Sequence, residues 1–374
     1  MRILLAPDKF KGTLDAPSAG AAMAAGVRDR LPAAEVRVHP LADGGEGTLD
    51  CIAASSPGAF FDVAAEDAFG EPVSSRAFDS PSGVMIAMHE TARLPERPAP
   101  SGALRASSRG TGRALLGAAE RRPGAEVVVF VGGSASTDGG AGAAQAAGWR
   151  LLDAAGRDLR AGGGALRALH RIEAPARAMA VSVVAACDVG APLLGPAGAA
   201  AVFAPQKGAG PAEAAVLEEG LAVLAERIRS DIGTDVASLP GAGAGGGMGA
   251  GLVAFFGARL VAGFDLVAEV TSLDEDIAWA DVVVTGEGRV DEGTLHGKVV
   301  SRVAERCARA AVPCAVVAGE VRLRAEDLPA HEALGVAAVE EVVSACGRAR
   351  AFADPAGSVR ATTAALAGRL FAGG

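Results

Sequence analysis

Short apolar runs rich in Val, Ile and Leu alternate along the chain with Ala-rich stretches. The clearest cover residues 2–6, 35–39, 126–131, 181–185, 281–285 and 313–318, and each leads into Gly, Asp or Pro. Continuous apolar runs bounded by turn residues are the pattern of buried parallel strands. Helical stretches lie between them. Asp15 or Thr13 can cap a helix that enters at Pro17 and runs towards Arg30, since a side-chain oxygen satisfies the unpaired first-turn N–H groups. Further helical stretches cover 46–54, 111–121 and 297–311. Strand–helix alternation predicts a wound α/β layer structure.

Between Phe61 and Glu90 the pattern changes. Residues 62–65, 74–78 and 84–89 are strand-like and separated by Gly-, Pro- and Ser-rich turns, which predicts an antiparallel meander. The last hundred or so residues return to strand–helix alternation. The expected organisation is therefore two α/β domains. Residues 1–65 and 280–374 form a discontinuous, Rossmann-like parallel sheet with flanking helices, and 66–279 form an inserted domain with a mixed sheet.

A chain of 374 residues, half of it hydrophobic, can bury such cores. The net charge of −9 and the 4% aromatic content argue against a nucleic-acid partner, whose backbone would be repelled and whose bases need stacking surfaces. No window reaches the length of a membrane span. Cys51, Cys187, Cys307, Cys314 and Cys346 lack C-x-x-C spacing, which suits reduced packing cysteines in the cytoplasm. The expected partners are small molecules.

Candidate chemistry sits at strand ends. Ala6-Pro-Asp-Lys-Phe-Lys-Gly-Thr13 follows the first strand, where ligands of α/β folds lie, so Asp8, Lys9 and Lys11 are candidates; a solvated capped turn is the alternative. Asp43-Gly-Gly-Glu-Gly-Thr48 follows the second strand. Asp43 there can take a hydroxyl proton or hold Mg²⁺ through water, although acids also suit any helix N-terminus. Gly132-Gly-Ser-Ala-Ser-Thr-Asp-Gly-Gly-Ala-Gly142 offers hydroxyls and consecutive N–H groups to an anion, yet it is neither a Walker nor a dinucleotide fingerprint. Gly241-Ala-Gly-Ala-Gly-Gly-Gly-Met-Gly-Ala-Gly251 reads as a loop lining the site, or as a flexible linker. The segment from Gly286 to Lys298 gathers Glu287, Arg289, Asp291, His296 and Lys298 beyond another strand. Asp138 and Asp291 each stand seven residues after the last valine of a strand.

Four of these segments and a fifth at residues 203–209 occur in an order that resembles the class I glycerate kinase family. They are Ala6-Pro-Asp-Lys-Phe-Lys-Gly-Thr-Leu14, Pro40-Leu-Ala-Asp-Gly-Gly-Glu-Gly-Thr48, Gly132-Gly-Ser-Ala-Ser-Thr-Asp-Gly-Gly140, Phe203-Ala-Pro-Gln-Lys-Gly-Ala209 and Thr285-Gly-Glu-Gly-Arg-Val-Asp291. The resemblance implies ATP-dependent phosphorylation of D-glycerate at the 2-hydroxyl, with Mg²⁺, in a cleft between two α/β domains. By matching motif it brings in Asp8, Lys11, Asp43, Glu46, Asp138, Asp188, Lys207, Glu287, Arg289 and Asp291. Two positions depart from the family's pattern: Gly293 stands where a glutamine is common, and Arg109 where an aromatic precedes G-T-G.

The expected catalytic set is Asp43, Asp188, Asp291 and Lys11. Asp8, Glu46, Thr48 and Arg289 are expected at the substrate, with Arg289 on its carboxylate. Gly132, Gly133, Ser134, Ser136, Thr137, Lys207, Gly245, Gly246 and Lys298 are expected at nucleotide phosphates, and Asp138, Glu287 and Asp291 at the metal. A monomer or homodimer is expected. A kinase for another small hydroxy acid is the nearest alternative; a non-catalytic sensor of a phosphorylated metabolite is the alternative of a different class.

Overall fold

The computed structural model describes residues 1–94, 101–177, 181–187, 190–295, 297–323 and 330–371. They form two compact units, one of residues 1–43, 50–56 and 267–374, the other of 44–49 and 57–266. The strands are β1 (Arg2–Pro7), β2 (Glu35–Val38), β3 (Ala59–Glu66), β4 (Pro72–Ser80), β5 (Gly83–Ala87), β6 (Glu126–Phe130), β7 (Arg150–Leu152), β8 (Arg171–Glu173), β9 (Ser182–Ala186), β10 (Arg259–Val261), β11 (Val282–Val290), β12 (Cys314–Val321) and β13 (Ala338–Glu341).

In the first unit a five-stranded sheet has the order β13-β12-β11-β1-β2, parallel throughout. Ile3, Leu5, Val284, Ala315 and Val317 point from it into one buried core with Met23 and Val27 of the helix Ala16–Arg30. Asp15 caps that helix, accepting from Ser18 N at 2.7 Å. The continuous apolar runs of β1 and β12 belong to strands buried on both faces.

The second unit holds a six-stranded sheet in the order β10-β9-β6-β5-β4-β3. Its first four strands are parallel, and β4 and β3 close it as the expected meander. A separate helical core of Leu217, Leu221, Leu224, Leu193 and Phe255 accompanies it, together with the small β7–β8 pair. A parallel and a mixed sheet, each in its own α/β unit, make the fold class. The chain leaves the first unit after Ser56 and returns at Val267, ahead of the expected 65 and 280. The physical reason for the earlier exit is that β3 pairs along its whole length with β4. No described helix is long and apolar enough to cross a membrane.

Candidate active site

At the carboxyl ends of β1 and β11, the first unit gathers acids. The turn after β1 is docked on β11 by Asp8 N–H, which donates to the Gly286 carbonyl at 2.8 Å. That approach explains the glycines of the Gly286-Glu-Gly-Arg289 segment. A Cβ on Gly288 would lie 2.8 Å from Lys11 N, and one on Gly286 would lie 2.4 Å from the Val317 carbonyl. The segment is not a loop beyond a strand, as its glycines suggest, but part of β11 itself, which runs on to Val290. Its glycines admit neighbouring backbone instead of an anion.

The cluster's charges are unequal. Burial, and then the charge of Asp43, push the half-buried Asp8 carboxyl up to about 7, against the Lys9 N–H that donates to it at 2.7 Å. Burial likewise raises Glu287 to about 6, although Thr294 Oγ1 donates to it at 2.6 Å and Lys298 lies near. Asp291 goes the other way. Burial opposes its ionisation, but the Lys298 ammonium at 3.0 Å and the local N–H donors hold it below the ordinary carboxylate range. Asp43 and Lys11 are exposed.

These acids suit a hard cation, which takes oxygen ligands. Asp8 and Glu287 are raised mainly by burial, and a cation beside them would favour their ionised forms. No three acids, His or Cys converge as a metal-binding group among the described residues. A Mg²⁺ ion held by one or two carboxylates, with water and phosphate oxygens completing its shell, fits this donor set.

In the second unit the two glycine-rich segments are packed on each other. Residues 241–251 form no flexible linker: Gly243 caps the helix Ala244–Phe256, and Gly245, Gly246 and Gly247 take φ of 63, 73 and 89° inside it. Gly139 N–H donates to the Gly246 carbonyl at 3.1 Å, and Ser134 Oγ to the Gly245 carbonyl at 3.1 Å. A Cβ at Gly246 would strike the Ser136 carbonyl at 2.1 Å, so only glycine fits that approach.

Asp138 is fully enclosed by this turn. Its carboxylate accepts from Ser108 N at 2.8 Å, Ser108 Oγ at 3.0 Å, Ser107 Oγ at 3.4 Å, Gly140 N at 3.3 Å and Gly142 N at 3.2 Å. Burial raises its carboxyl and those donors oppose the rise. The expectation of a metal ligand here is corrected: an acid surrounded by donors organises the turn and has no oxygen open to a cation. The N–H groups of Gly139, Gly140 and Gly142 are engaged inside the protein as well, so an anion would meet the other end of the segment. There Gly133 is exposed and Gly132 half-buried, whereas Ser136 and Thr137 are fully buried. Asp138 and Asp291 share no offset from a strand end, since β6 stops at Phe130 whereas β11 runs on to Val290, directly before Asp291.

Lys207 is buried too, its Nζ donating to the Ser136 carbonyl at 2.5 Å and reaching Ser134 Oγ at 3.4 Å. Thr48 starts a helix and donates to the Gly45 carbonyl at 2.7 Å, while Glu46 is exposed. Arg289 pairs with Glu320 at 3.5 Å, and Arg109 with Glu66 at 3.0 Å. Asp188 and His296 lie outside the described residues. Sequence reasoning missed Ser107, Ser108 and Thr294; the hydroxyl residues flanking G-T-G and Asp291 were the available signal.

The sequence profile of the glycerate kinase family matches residues 3–371. The chain belongs to that family. Among similar proteins, the glycerate kinase of Halalkalibacterium halodurans is 40% identical over 329 residues, 85% of each chain. The glycerate 2-kinase of Escherichia coli is 37% identical over 353 residues, covering 93% of this chain and 92% of its own. A crystal structure of a provisionally named glycerate kinase 2 from Salmonella typhimurium LT2 superposes with a TM-score of 0.83 at 36% identity, covering 100% of this chain and 99% of that one. As a glycerate kinase family member, the chain carries its acids at the strand ends of one unit and its glycine turns in the other.

Proposed function

We propose that the chain is an ATP-dependent kinase that phosphorylates D-glycerate at the 2-hydroxyl and releases ADP. Family membership over residues 3–371 supports the reaction class. The observation that carries the chemistry is the acid cluster at the ends of β1 and β11, with one carboxyl raised to about 7 beside an exposed one. A sensor of phosphorylated metabolites has no use for four acids there.

Phosphoryl transfer is mostly positioning and charge stabilisation. Asp8, whose carboxyl is raised to about 7, receives the glycerate hydroxyl proton with Asp43 beside it, because a base near the working pH takes a proton most effectively. Glu287 and Asp291 are the residues that would hold Mg²⁺, which supplies charge neutralisation at the transferring group. Arg289 binds the glycerate carboxylate through its guanidinium fork, with Glu46 near the substrate. Lys11 and Lys298 balance phosphate charge, and the Gly132–Gly133 turn with Gly245 takes nucleotide phosphate. ATP use and free cysteines suit a cytoplasmic enzyme.

Phosphorus NMR of the product formed from D-glycerate tests the regiochemistry. The expected product is 2-phosphoglycerate; 3-phosphoglycerate would overturn that part of the proposal. L-Glycerate, glycolate and tartronate run in parallel should turn over more slowly. A faster rate with any of them would name a different hydroxy-acid kinase.

A further inference from the structure

We propose that Lys207 is a positioning residue: an internal pin whose ammonium sets the conformation of the 132–140 turn without touching nucleotide. This rests on the reading that the turn holds nucleotide phosphate. The geometry separates Lys207 from a ligand. The residue is 4% exposed, and its Nζ is directed at the Ser136 carbonyl (2.5 Å) and Ser134 Oγ (3.4 Å). Ser134 Oγ in turn donates to the Gly245 carbonyl, so one ammonium ties both glycine turns together.

The two ends of a planar trans peptide point in opposite directions. Drawing the Ser136 carbonyl inward therefore turns the following N–H, that of Thr137, away from the ammonium, and fixes the plane of that buried peptide, while the Ser134 contact carries the restraint to the residue beside the exposed Gly133. Gly246 is part of the same device, because a Cβ there would sit 2.7 Å from Lys207 Nζ. Ser136 Oγ and Thr137 Oγ1 are buried without a hydrogen-bond partner. The turn is thus held by its backbone, by Asp138 and Ser134 and by Lys207, and not by the Ser136 and Thr137 hydroxyls.

Packing alone does not call for a lysine. A buried ammonium is disfavoured by desolvation, which pushes this one down to about 7 against the opposing pull of Asp138. A methionine of similar length would fill the space without that penalty. Among the described residues, Asp138 is the charged group whose field reaches Lys207. The other groups at its Nζ are the neutral Ser134, Ser136 and Gly246.

Lys207→Met in the full chain, assayed with ATP and D-glycerate about one unit below and above pH 7, tests the pin. The KM for ATP should rise roughly tenfold or more, since small misplacements are costly in transfer reactions. The KM for D-glycerate should stay unchanged. In the wild type the KM for ATP should rise with pH across this range, and Lys207→Met should lose that rise, leaving only the dependence set by Asp8 and Glu287. A folded Lys207→Met with the wild-type KM for ATP would overturn the proposal. Should that variant fail to fold, Ser134→Ala decides: a raised KM for ATP supports the pin, and an unchanged one overturns it. If the wild type releases no ADP with glycerate, the proposed function fails. The pin is then read from ADP binding by calorimetry, which Lys207→Met must weaken.

Discussion

A half-buried carboxyl that shares its surroundings with two other acids keeps its proton to about pH 7, as Asp8 does beside Asp43 and Glu287. Its unfolded-state value is near 3.8. Between those two values the folded chain binds the extra proton, so stability falls as pH rises and the penalty is complete above about 7. Asp8→Asn should therefore raise the melting temperature at pH above about 7, with the gain shrinking towards pH 3.8. Thermal melts in chelator, without nucleotide, check this; a gain independent of pH would contradict it. Asp43→Asn and Asp291→Asn should abolish turnover and leave the fold intact. Asp43 is exposed, and the Asp291–Lys298 pair is about a third exposed, where an ion pair contributes ~0–1 kcal/mol. Circular dichroism beside an ADP assay tests both, and near-normal activity in either would remove that residue from the catalytic set. These acids were legible as candidates in the sequence because they recur at strand ends. Their inequality was not, since it comes from burial and from partners such as Thr294 and Lys298.

Glycines decide how elements meet. Gly110, on the helix Arg109–Arg121, has no room for a side chain, because a Cβ there would lie 1.8 Å from the Glu66 carbonyl of β3. Gly110→Ala should cost about 1–3 kcal/mol, the usual penalty of overpacking, and urea denaturation would measure it. A loss below a few tenths of that would mean the helix can move off β3. The sequence made β1, β2, β6, β9, β11 and β12 legible through their apolar runs, and β3 to β5 through the change of pattern. It could not separate a glycine that admits an anion from one that admits a neighbouring strand. Gly286 and Gly288 turned out to face strand or turn backbone, as did Gly246 and Gly247. Asp138 was equally opaque, because the donors that enclose it come from Ser107 and Ser108, some thirty residues earlier. The short strands β7, β8, β10 and β13 carry too few residues for a periodic signal.

Taken whole, the molecule is a −9 chain that places Lys298 beside Asp291 and Lys207 inside a turn. That distribution suits a small anionic substrate handled one contact at a time, and it disfavours a polyanion. The order of five motifs along the chain was the most legible feature of all, and the family match from residue 3 to 371 bears it out. Most motifs alone had a bland alternative, and the structure adds two roles that none of those alternatives named, packing glycines and a buried structural aspartate. The central claim is catalysis of phosphoryl transfer to glycerate. Its most direct test is ADP release by the purified chain supplied with ATP, Mg²⁺ and D-glycerate, with phosphoglycerate measured in the same sample. The account predicts equimolar ADP and phosphoglycerate, dependent on D-glycerate. ADP release no greater than with ATP alone, together with tight binding of phosphoglycerate, would contradict it and identify a sensor.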